Sequence, residues 1–499
     1  MTGKRTLTGL LEAYTEEDYY PFHMPGHKRR LDRVLEQSLT EAGSPAAGRA
    51  LAAAAGLDIT EIDGFDNLHE PEGILRESME RAARLYGADR CYYSVNGSTA
   101  GLLTAVSAAV PEGGKLIMAR NCHKAVYHAV YLRRLEPVYL YPGILPGTEL
   151  ADVVMPSQIE RALLENPDAS AVLIPSPTYD GITADVEKIA EVVHRFGVPL
   201  IVDAAHGAHF GFHPGFPESP VRLGADLTVV SLHKTMPCMT QTALLLQKGD
   251  RVEESRLRMF EGMYQTSSPS YFLMAGMDAC LSLAQEKGAA LWDDFFADRA
   301  VFLEKTERLR NFRVLTAGKN ISFAGENVRF LMDPGKILIE TLKTGLTGRQ
   351  FYAILLRRYH LQMEMAAGNY VTAIMTCCDT KEGWDRLYKA LCETDRQYDG
   401  MQERRETDTV LYPCLVRACS LSDALDAPKH RIPLSRAEGK VSGAFINLYP
   451  PGIPIVVPGE RFSREAAALI SRYRQQRLPL QGMEDDAITI VTAQPSAKL

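Results

Sequence analysis

Apolar residues recur along this chain with two periods. Short unbroken runs near 91–95, 115–119, 171–174, 200–202 and 227–230 are rich in Val, Ile, Leu and Tyr, the pattern of strands buried on both faces. Between them the spacing changes to three and four. Ile74 to Tyr86 places Leu75, Met79, Ala82, Ala83 and Tyr86 on one helical face with Gly87 to close it, and Val186 to Phe196 is apolar at 186, 189, 190 and 193 before Gly197. A small-residue helix from Leu102 to Val110 and a Ser157-Gln-Ile-Glu160 capping box opening a helix through Leu164 continue the alternation. Strand, helix, strand in this order predicts an α/β fold with a largely parallel sheet, whose polar residues gather at strand C-terminal ends.

The flanks are less regular. Residues 1–20 carry a modest helical pattern, and the prolines and glycine of Pro21-Phe-His-Met-Pro-Gly-His-Lys28 predict an irregular segment. Ala- and Gly-rich residues 39–56 read as a mobile connection or a weak helix, and Asp58 to Gly73 as an acidic loop. Past the sheet we expect an edge strand from Thr242 to Gln247, a polar turn from Gln265 to Tyr271 and one long helix from Phe272 to Leu309. Residues 311–395 alternate strands and helices, 396–440 read as polar and irregular, and the prolines of 449–460 predict a rigid loop. The tail after Val491 reads as disordered, and there is no internal repeat. This divides the chain into an N-terminal arm (1–69), a large α/β domain (70–305) and a smaller α+β C-terminal region (306–499).

Composition narrows the class of protein. A chain of 499 residues, 46% hydrophobic and 23% charged, buries large cores, and a net charge of −7 with no long basic run speaks against nucleic acid and anionic membranes as partners. The short Arg-rich stretch at Arg472 to Arg477 fits a solvated helix face. No apolar run reaches spanning length and the first residues lack the apolar core of a signal peptide, so a cytoplasmic location is expected. Nine scattered cysteines, with no CxxC or His/Cys cluster, predict reduced core thiols and no metal site.

Chemistry concentrates where apolar runs stop. The run that begins at Asp226 ends in Ser231, His233 and Lys234, and a partly desolvated lysine at a strand end suits a Schiff base to an aldehyde cofactor, pyridoxal phosphate. Val198 to Val202 runs into Asp203 and then His206; an acid there serves either as a turn residue or as the partner that keeps the cofactor's pyridine nitrogen protonated. The lysine follows the acid by 31 positions, room for a crossover between parallel strands. Gly97, Ser98 and Thr99 at a helix N-terminus favour a phosphate, though helix caps use the same residues. His123, after the run Lys115 to Ala119, suits either stacking on a cofactor ring or capping the next helix.

At this point the chain resembles the bacterial-type ornithine/lysine/arginine decarboxylases, pyridoxal-phosphate enzymes of fold type I, which have the aspartate-aminotransferase-like fold. The resemblance spans nearly the whole chain, through PFHMPGHK (21–28), DITEIDGFDNLHEPEG (58–73), VNGST (95–99), RNCHKA (120–125), PTYDG (177–181), VDAAHGAHFGF (202–212), SLHKT (231–235), TSSPSY (266–271) and YPPGIPIVVPGE (449–460). It implies that Lys234 holds the cofactor, Asp203 pairs with the pyridinium nitrogen and His206 lies near the phenolic oxygen. It also implies that His123 stacks on the ring, with Ser98, Thr99, Ser231 and His233 around the phosphate and Thr178 of PTYDG among the cofactor's neighbours. A homodimer follows in the same way, its site completed by the partner's TSSPSY turn.

The implied reaction is decarboxylation of a basic L-amino acid to a polyamine-pathway amine, with arginine first because the shorter family form is commonly associated with it, and lysine or ornithine next. The chain starts almost at PFHMPGHK, as that shorter form does, without the N-terminal domain that builds larger assemblies. His233 and Lys234 are the candidate proton donors at Cα. Another fold type I activity, an aminotransferase or lyase, and a catalytically weak regulatory relative are the competing readings. Two departures bear on the substrate. Ala204 stands where many members have Glu, and Gly439-Lys-Val-Ser-Gly-Ala444 aligns with GRISAE, so Ala444 lacks a carboxylate often found there. Carboxylates of 58–73 and Glu460 could supply it instead.

Overall fold

The computed structural model describes residues 6–17, 19–145, 148, 150–315, 321–323, 326–328, 332–398, 413–448, 453–475 and 478–492. Helix α1 (Leu7–Glu16) is capped by Thr6 and buries Leu7 and Leu11. Its first amide donates to Asp278 Oδ2 at 2.8 Å, and the same carboxylate accepts from Ser78 and Arg81, which ties the N-terminal arm to the large domain. The PFHMPGHK segment forms no regular element. The Ala/Gly-rich stretch is helical after all, with α3 (Pro45–Gly56) following the short α2 (Leu35–Glu41); Pro45 at its first turn supplies a preset φ that compensates for weak amphipathicity. Helix α4 (Ile74–Tyr86) has its expected bounds and ends on Gly87, whose φ of +78° is the left-handed turn that a Cβ disfavours.

The central sheet contains β1 (Arg90–Ser94), β2 (Lys115–Ala119), β3 (Glu136–Leu140), β4 (Ala169–Pro175), β5 (Leu200–Asp203), β6 (Leu227–Val230) and β7 (Ala243–Gln247), in the order β1-β7-β6-β5-β4-β2-β3. Pairing is parallel from β6 through β5, β4 and β2 to β3, with β7 antiparallel to both its neighbours. The mostly parallel α/β sheet is the expected one. The expected edge strand is not: β7 lies inside, between β1 and β6, with all five residues buried. Its unbroken Ala-Leu-Leu-Leu run already marks a strand covered on both faces. The edges are β1 and β3, and β3 was missed in the sequence because Glu136 and Pro137 dilute its apolar pattern; an edge tolerates such residues.

Helices α5 (Gly97–Ala109), α6 (Lys124–Leu132), α7 (Pro156–Glu165) and α8 (Val186–Arg195) cross over between strands. Two helix starts differ from expectation. Helix α5 begins at Gly97, so Ser98 and Thr99 lie in its first turn, and α7 begins at Pro156, where Gln158 Oε1 accepts from the Met155 amide at 2.9 Å and leaves Ser157 inside the helix rather than at its cap. After the single turn α9 (Leu232–Thr235), β7 and α10 (Glu254–Tyr264), the expected long helix is broken into α11 (Tyr271–Lys287), a 3₁₀ segment (Gly288–Trp292) and α12 (Asp293–Thr306). Gly288, at φ +54°, turns the chain where Trp292 buries against Phe295 and Phe216.

A second, antiparallel sheet follows. It joins β8 (Arg313–Leu315) and, beyond a hairpin of β9 (Ile321–Phe323) and β10 (Glu326–Val328), β11 (Lys336–Glu340), β12 (Met365–Ala367) and β13 (Tyr370–Ile374), in the order β12-β13-β11-β8, flanked by α13 (Gly348–Tyr359) and α14 (Lys381–Gln397). Residues 399–412, 449–452 and 493–499 fall outside the described residues, and with them parts of the stretches read as irregular, rigid and disordered. What is described of 413–440 holds a helix (Leu421–Asp426) and a strand (Lys429–Pro433), more regular than expected. Ile453–Val456 is an edge strand on Ile446–Leu448 rather than a loop, an edge being where Pro454 costs no ladder bond. This region has its own core of Leu415, Ile446, Ile455, Val456, Phe462 and Ile470. Among the described residues no helix is long and apolar enough to cross a membrane, and the nine cysteines form no disulfide.

Candidate active site

Parallel strands β5 and β6 end side by side, and the chemistry lies just beyond them. Asp203 closes β5 opposite Val229, and Lys234 sits in the turn α9 that follows β6, held by a Ser231 amide bond to Ala205 O at 3.3 Å. Asp203 is buried, and its Oδ1 accepts from the Ala205 amide at 3.1 Å. Burial pushes its carboxyl up, with Lys234 pulling the other way. Burial likewise lowers Lys234, offset by Asp203 and Glu364. A buried acid thus faces an amine whose neutral form is within reach.

Imidazoles surround the amine. His206 Nε2 is 3.2 Å from Lys234 Nζ, and its ring meets Tyr179 edge-on with centroids 4.8 Å apart. His123 serves as the cap of α6, its Nδ1 accepting from the Ala125 amide at 3.2 Å, and it also feels Lys234: burial first, then that cation, bring it down to about 4. His123 thus caps α6 while lying within the electrostatic reach of Lys234. His233 Nδ1 donates to Thr242 O at 3.0 Å, which puts its lone pair on Nε2, and burial lowers it.

The hydroxyls divide. Ser98 and Thr99 stand in the first turn of α5, where unpaired amides point outward, and Gln265 and Tyr264 hold the preceding loop through Val95 N–H at 2.8 Å and the Asn96 side chain at 3.0 Å. Ser231 Oγ and Thr235 Oγ1 are buried without a partner. Thr178 instead closes its own turn, its Oγ1 accepting from the Ile182 amide at 3.1 Å, so PTYDG meets the site through Tyr179. Buried hydroxyls that lack partners, a helix N-terminus, a buried acid and a lysine amine together fit pyridoxal phosphate, which carries a phosphate, a ring nitrogen and an aldehyde.

Sequence reasoning missed several groups here. Lys336 opens β11 fully buried, its Nζ 3.0 Å from His206 Nδ1. A lysine heading the apolar Ile-Leu-Ile run after Asp333-Pro-Gly is the signal that was available, since lysine is almost never buried unless paired. His209 Nε2 lies 2.8 Å from Asp333, and at the rim Glu364 accepts a hydrogen bond from the Tyr179 hydroxyl. Glu460, expected as a substrate carboxylate, is already committed: it pairs in the interior with Arg120 Nη2 at 3.0 Å and accepts from the Val457 amide at 2.8 Å, pinning the C-terminal region to the end of β2. From the acidic segment, Asp58 faces His27 at 3.1 Å and Asp66 caps α4 through Gly73 and Leu75, while His69 reaches Thr266 O at 2.9 Å. These contacts join PFHMPGHK, the acidic segment and TSSPSY into one wall.

Such a site on such a sheet defines a fold type I pyridoxal-phosphate enzyme, and solved structures agree on the fold. Lysine decarboxylase of Francisella novicida superposes with a TM-score of 0.80 at 19% identity, over 97% of this chain and 81% of that one, and L-threonine transaldolase from Pseudomonas fluorescens with 0.51 at 13%, over 68% and 76%. Residues 6–381 match the Orn/Lys/Arg decarboxylase major domain and 415–478 the C-terminal domain of the same family. The chain belongs to the Orn/Lys/Arg decarboxylase family. Arginine decarboxylase of Bacillus subtilis is 31% identical over 97% of this chain and 96% of its own length, and that of Halalkalibacterium halodurans 32% over 95% and 94%. The protein is a pyridoxal-phosphate-dependent decarboxylase of a basic amino acid.

Proposed function

We propose that the substrate is L-arginine, with lysine and ornithine as poorer alternatives, and that the product is an amine of the polyamine type formed in the cytoplasm. The observation that supports it most is the full-length similarity to two arginine decarboxylases combined with an intact strand-end pair, Asp203 and Lys234. When bound, pyridoxal phosphate supplies a sink for the electron pair left as CO2 departs. Lys234 would provide the amine for the aldehyde, Asp203 would keep a negative charge for the ring nitrogen, and Ser98, Thr99, Ser231 and the α5 N-terminus would hold the phosphate. Of the two candidate proton donors, neutral His233 has spent its only N–H on Thr242 O, so the Lys234 ammonium is the group with hydrogens to give.

The substrate's distal cation needs a carboxylate. Glu460 is taken by Arg120, and Asp58 and Asp66 by His27 and α4; Glu364, exposed at the rim beside Tyr179, is an acid whose charge acts on both Lys234 and Lys336. A charge-assisted hydrogen bond is worth roughly 1.5–3 kcal/mol, about 10- to 150-fold in affinity. Glu364→Gln should lower kcat/KM for arginine by about that factor. Ala444→Glu should reorder arginine, lysine and ornithine without creating a new activity. Parallel specificity constants decide both: an unchanged ranking shows that Ala444 is remote from the pocket, and wild-type preference for a neutral or acidic amino acid overturns the basic-substrate reading.

The working unit in this reading is a homodimer. Ser267 and Ser268 of TSSPSY are exposed in the single chain, as a segment offered to a partner would be; Ser270 is half-buried, its hydroxyl capping α11. Sedimentation at assay concentration should show dimer or larger, and a fully active monomer refutes this.

A further inference from the structure

Lys234, His206 and Lys336 form a line of three nitrogen groups, with 3.2 Å from Lys234 Nζ to His206 Nε2 and 3.0 Å from His206 Nδ1 to Lys336 Nζ. The proton count in this line is constrained. A neutral imidazole offers one N–H and one lone pair, whereas an ammonium only donates, so two hydrogen bonds through His206 require one of the lysines to be a neutral amine that accepts. A doubly protonated ring is excluded, because burial and then the flanking Lys336 and Lys234 hold His206 well below its ordinary value. The Lys336 side chain is fully buried and packs closely on Gly181. Its stem passes Gly181, where a Cβ would come within 2.6 Å of the lysine Cγ.

We propose that Lys336 is the proton acceptor for Lys234 through His206, a positioning residue that turns Lys234 into a free amine. This rests on the reading that Lys234 is the amine that takes the aldehyde. In the first arrangement Lys234 is an ammonium donating to Nε2, and Nδ1–H donates to neutral Lys336. One proton then passes from Lys234 Nζ to Nε2 while the Nδ1 proton passes to Lys336 Nζ. The total charge stays at one, Lys234 gains its lone pair and His206 changes tautomer. Both amines are held below their ordinary values. Burial, with the repulsion of Lys234, lowers Lys336 to about 8 against the support of Asp333, Glu364 and Asp180, and burial lowers Lys234 against the support of Asp203 and Glu364. His209 is occupied by Asp333, and His123 and His233, which also face His206, are both lowered by burial and so stay neutral.

The test reads Lys234 itself. The full-length chain, stripped of cofactor, is trace-labelled by reductive methylation with formaldehyde and cyanoborohydride across pH, and labelling at Lys234 is followed by mass spectrometry in the wild type, Lys336→Met and Lys336→Arg. A permanent guanidinium donates to Nδ1, forces Nε2–H and leaves Lys234 neutral; a thioether accepts nothing. The Lys234 midpoint should therefore fall in the Arg variant and rise in the Met variant, each by about one pH unit, or about tenfold in labelling rate well below the midpoint. Midpoints that move in the same direction, as loosened packing would produce, or that do not move, overturn the proposal. A wild-type measurement covers the case in which a variant fails to fold. In ¹⁵N-histidine-labelled protein, with His206 assigned by subtraction of His206→Gln, the proton should sit on Nδ1 in the stripped chain and on Nε2 after pyridoxal phosphate is added. One tautomer in both overturns the proposal. Loss of the underlying Lys234 assignment shows separately, as borohydride label on a different lysine.

Discussion

Lys234→Ala is expected to abolish turnover, by on the order of 10³-fold or more, while the protein still binds pyridoxal phosphate non-covalently. The size follows from losing two functions at once: the amine that takes the aldehyde, and the group with N–H bonds to return a proton. Retention of binding follows from the proposed phosphate site, which draws on the α5 N-terminus, Ser98, Thr99 and Ser231 and does not use the lysine. Alanine also suits the helical turn Leu232–Thr235, so the variant should fold. The wild type should be yellow and lose its visible band on borohydride reduction, with the label mapping to Lys234 and the variant taking up none. Label on any other lysine removes the assignment.

Asp203→Asn should cost about 100- to 1,000-fold in kcat, the usual loss when one fixed charge that stabilises a transition state is removed. An amide cannot hold the pyridine nitrogen protonated, so the sink for the departing electron pair weakens. Stability should move the other way. Asp203 has its carboxyl raised by burial, so the folded chain binds that proton more tightly than the unfolded one, and the ionised form costs stability once pH rises through the folded value. Asn carries no such charge, so at pH 8 the cofactor-free variant should melt at or above the wild-type Tm. Asp203→Glu should retain more activity than Asn but remain poor, since the longer arm misplaces the charge. Near-normal turnover by Asp203→Asn would refute the role, and a sharply lower Tm would mark a structural defect instead.

Periodicity alone determined a large part of this protein. Unbroken apolar runs located β1, β2 and β4 to β6, and the spacing of Leu75, Met79, Ala82 and Tyr86 with a closing Gly87 set α4, because burial on two faces or on one helical stripe leaves a period in the chain. The strand-end positions of Asp203 and Lys234 were legible for the same reason: each follows an apolar run directly, and a parallel sheet opens its site at that end. The nine short motifs pointed to the family that the full-length comparison shows.

What required the tertiary structure were facts of pairing between distant segments. Strand order placed β7 in the interior, and a one-dimensional pattern cannot say which neighbours a strand will have. Glu460 reads as an available acid until Arg120, 340 positions away, is seen to neutralise it. His123 reads as cap or site residue until its bond from the Ala125 amide and the influence of Lys234 are both in view. Lys336 lies outside all nine motifs and gains meaning only when β11 brings it within 3.0 Å of a histidine that follows β5, 130 positions away. For the three side chains the physical reason is the same. Hydrophobic burial is local enough to write a period into the sequence, whereas the desolvation and pairing of charges depend on which segments the fold brings together.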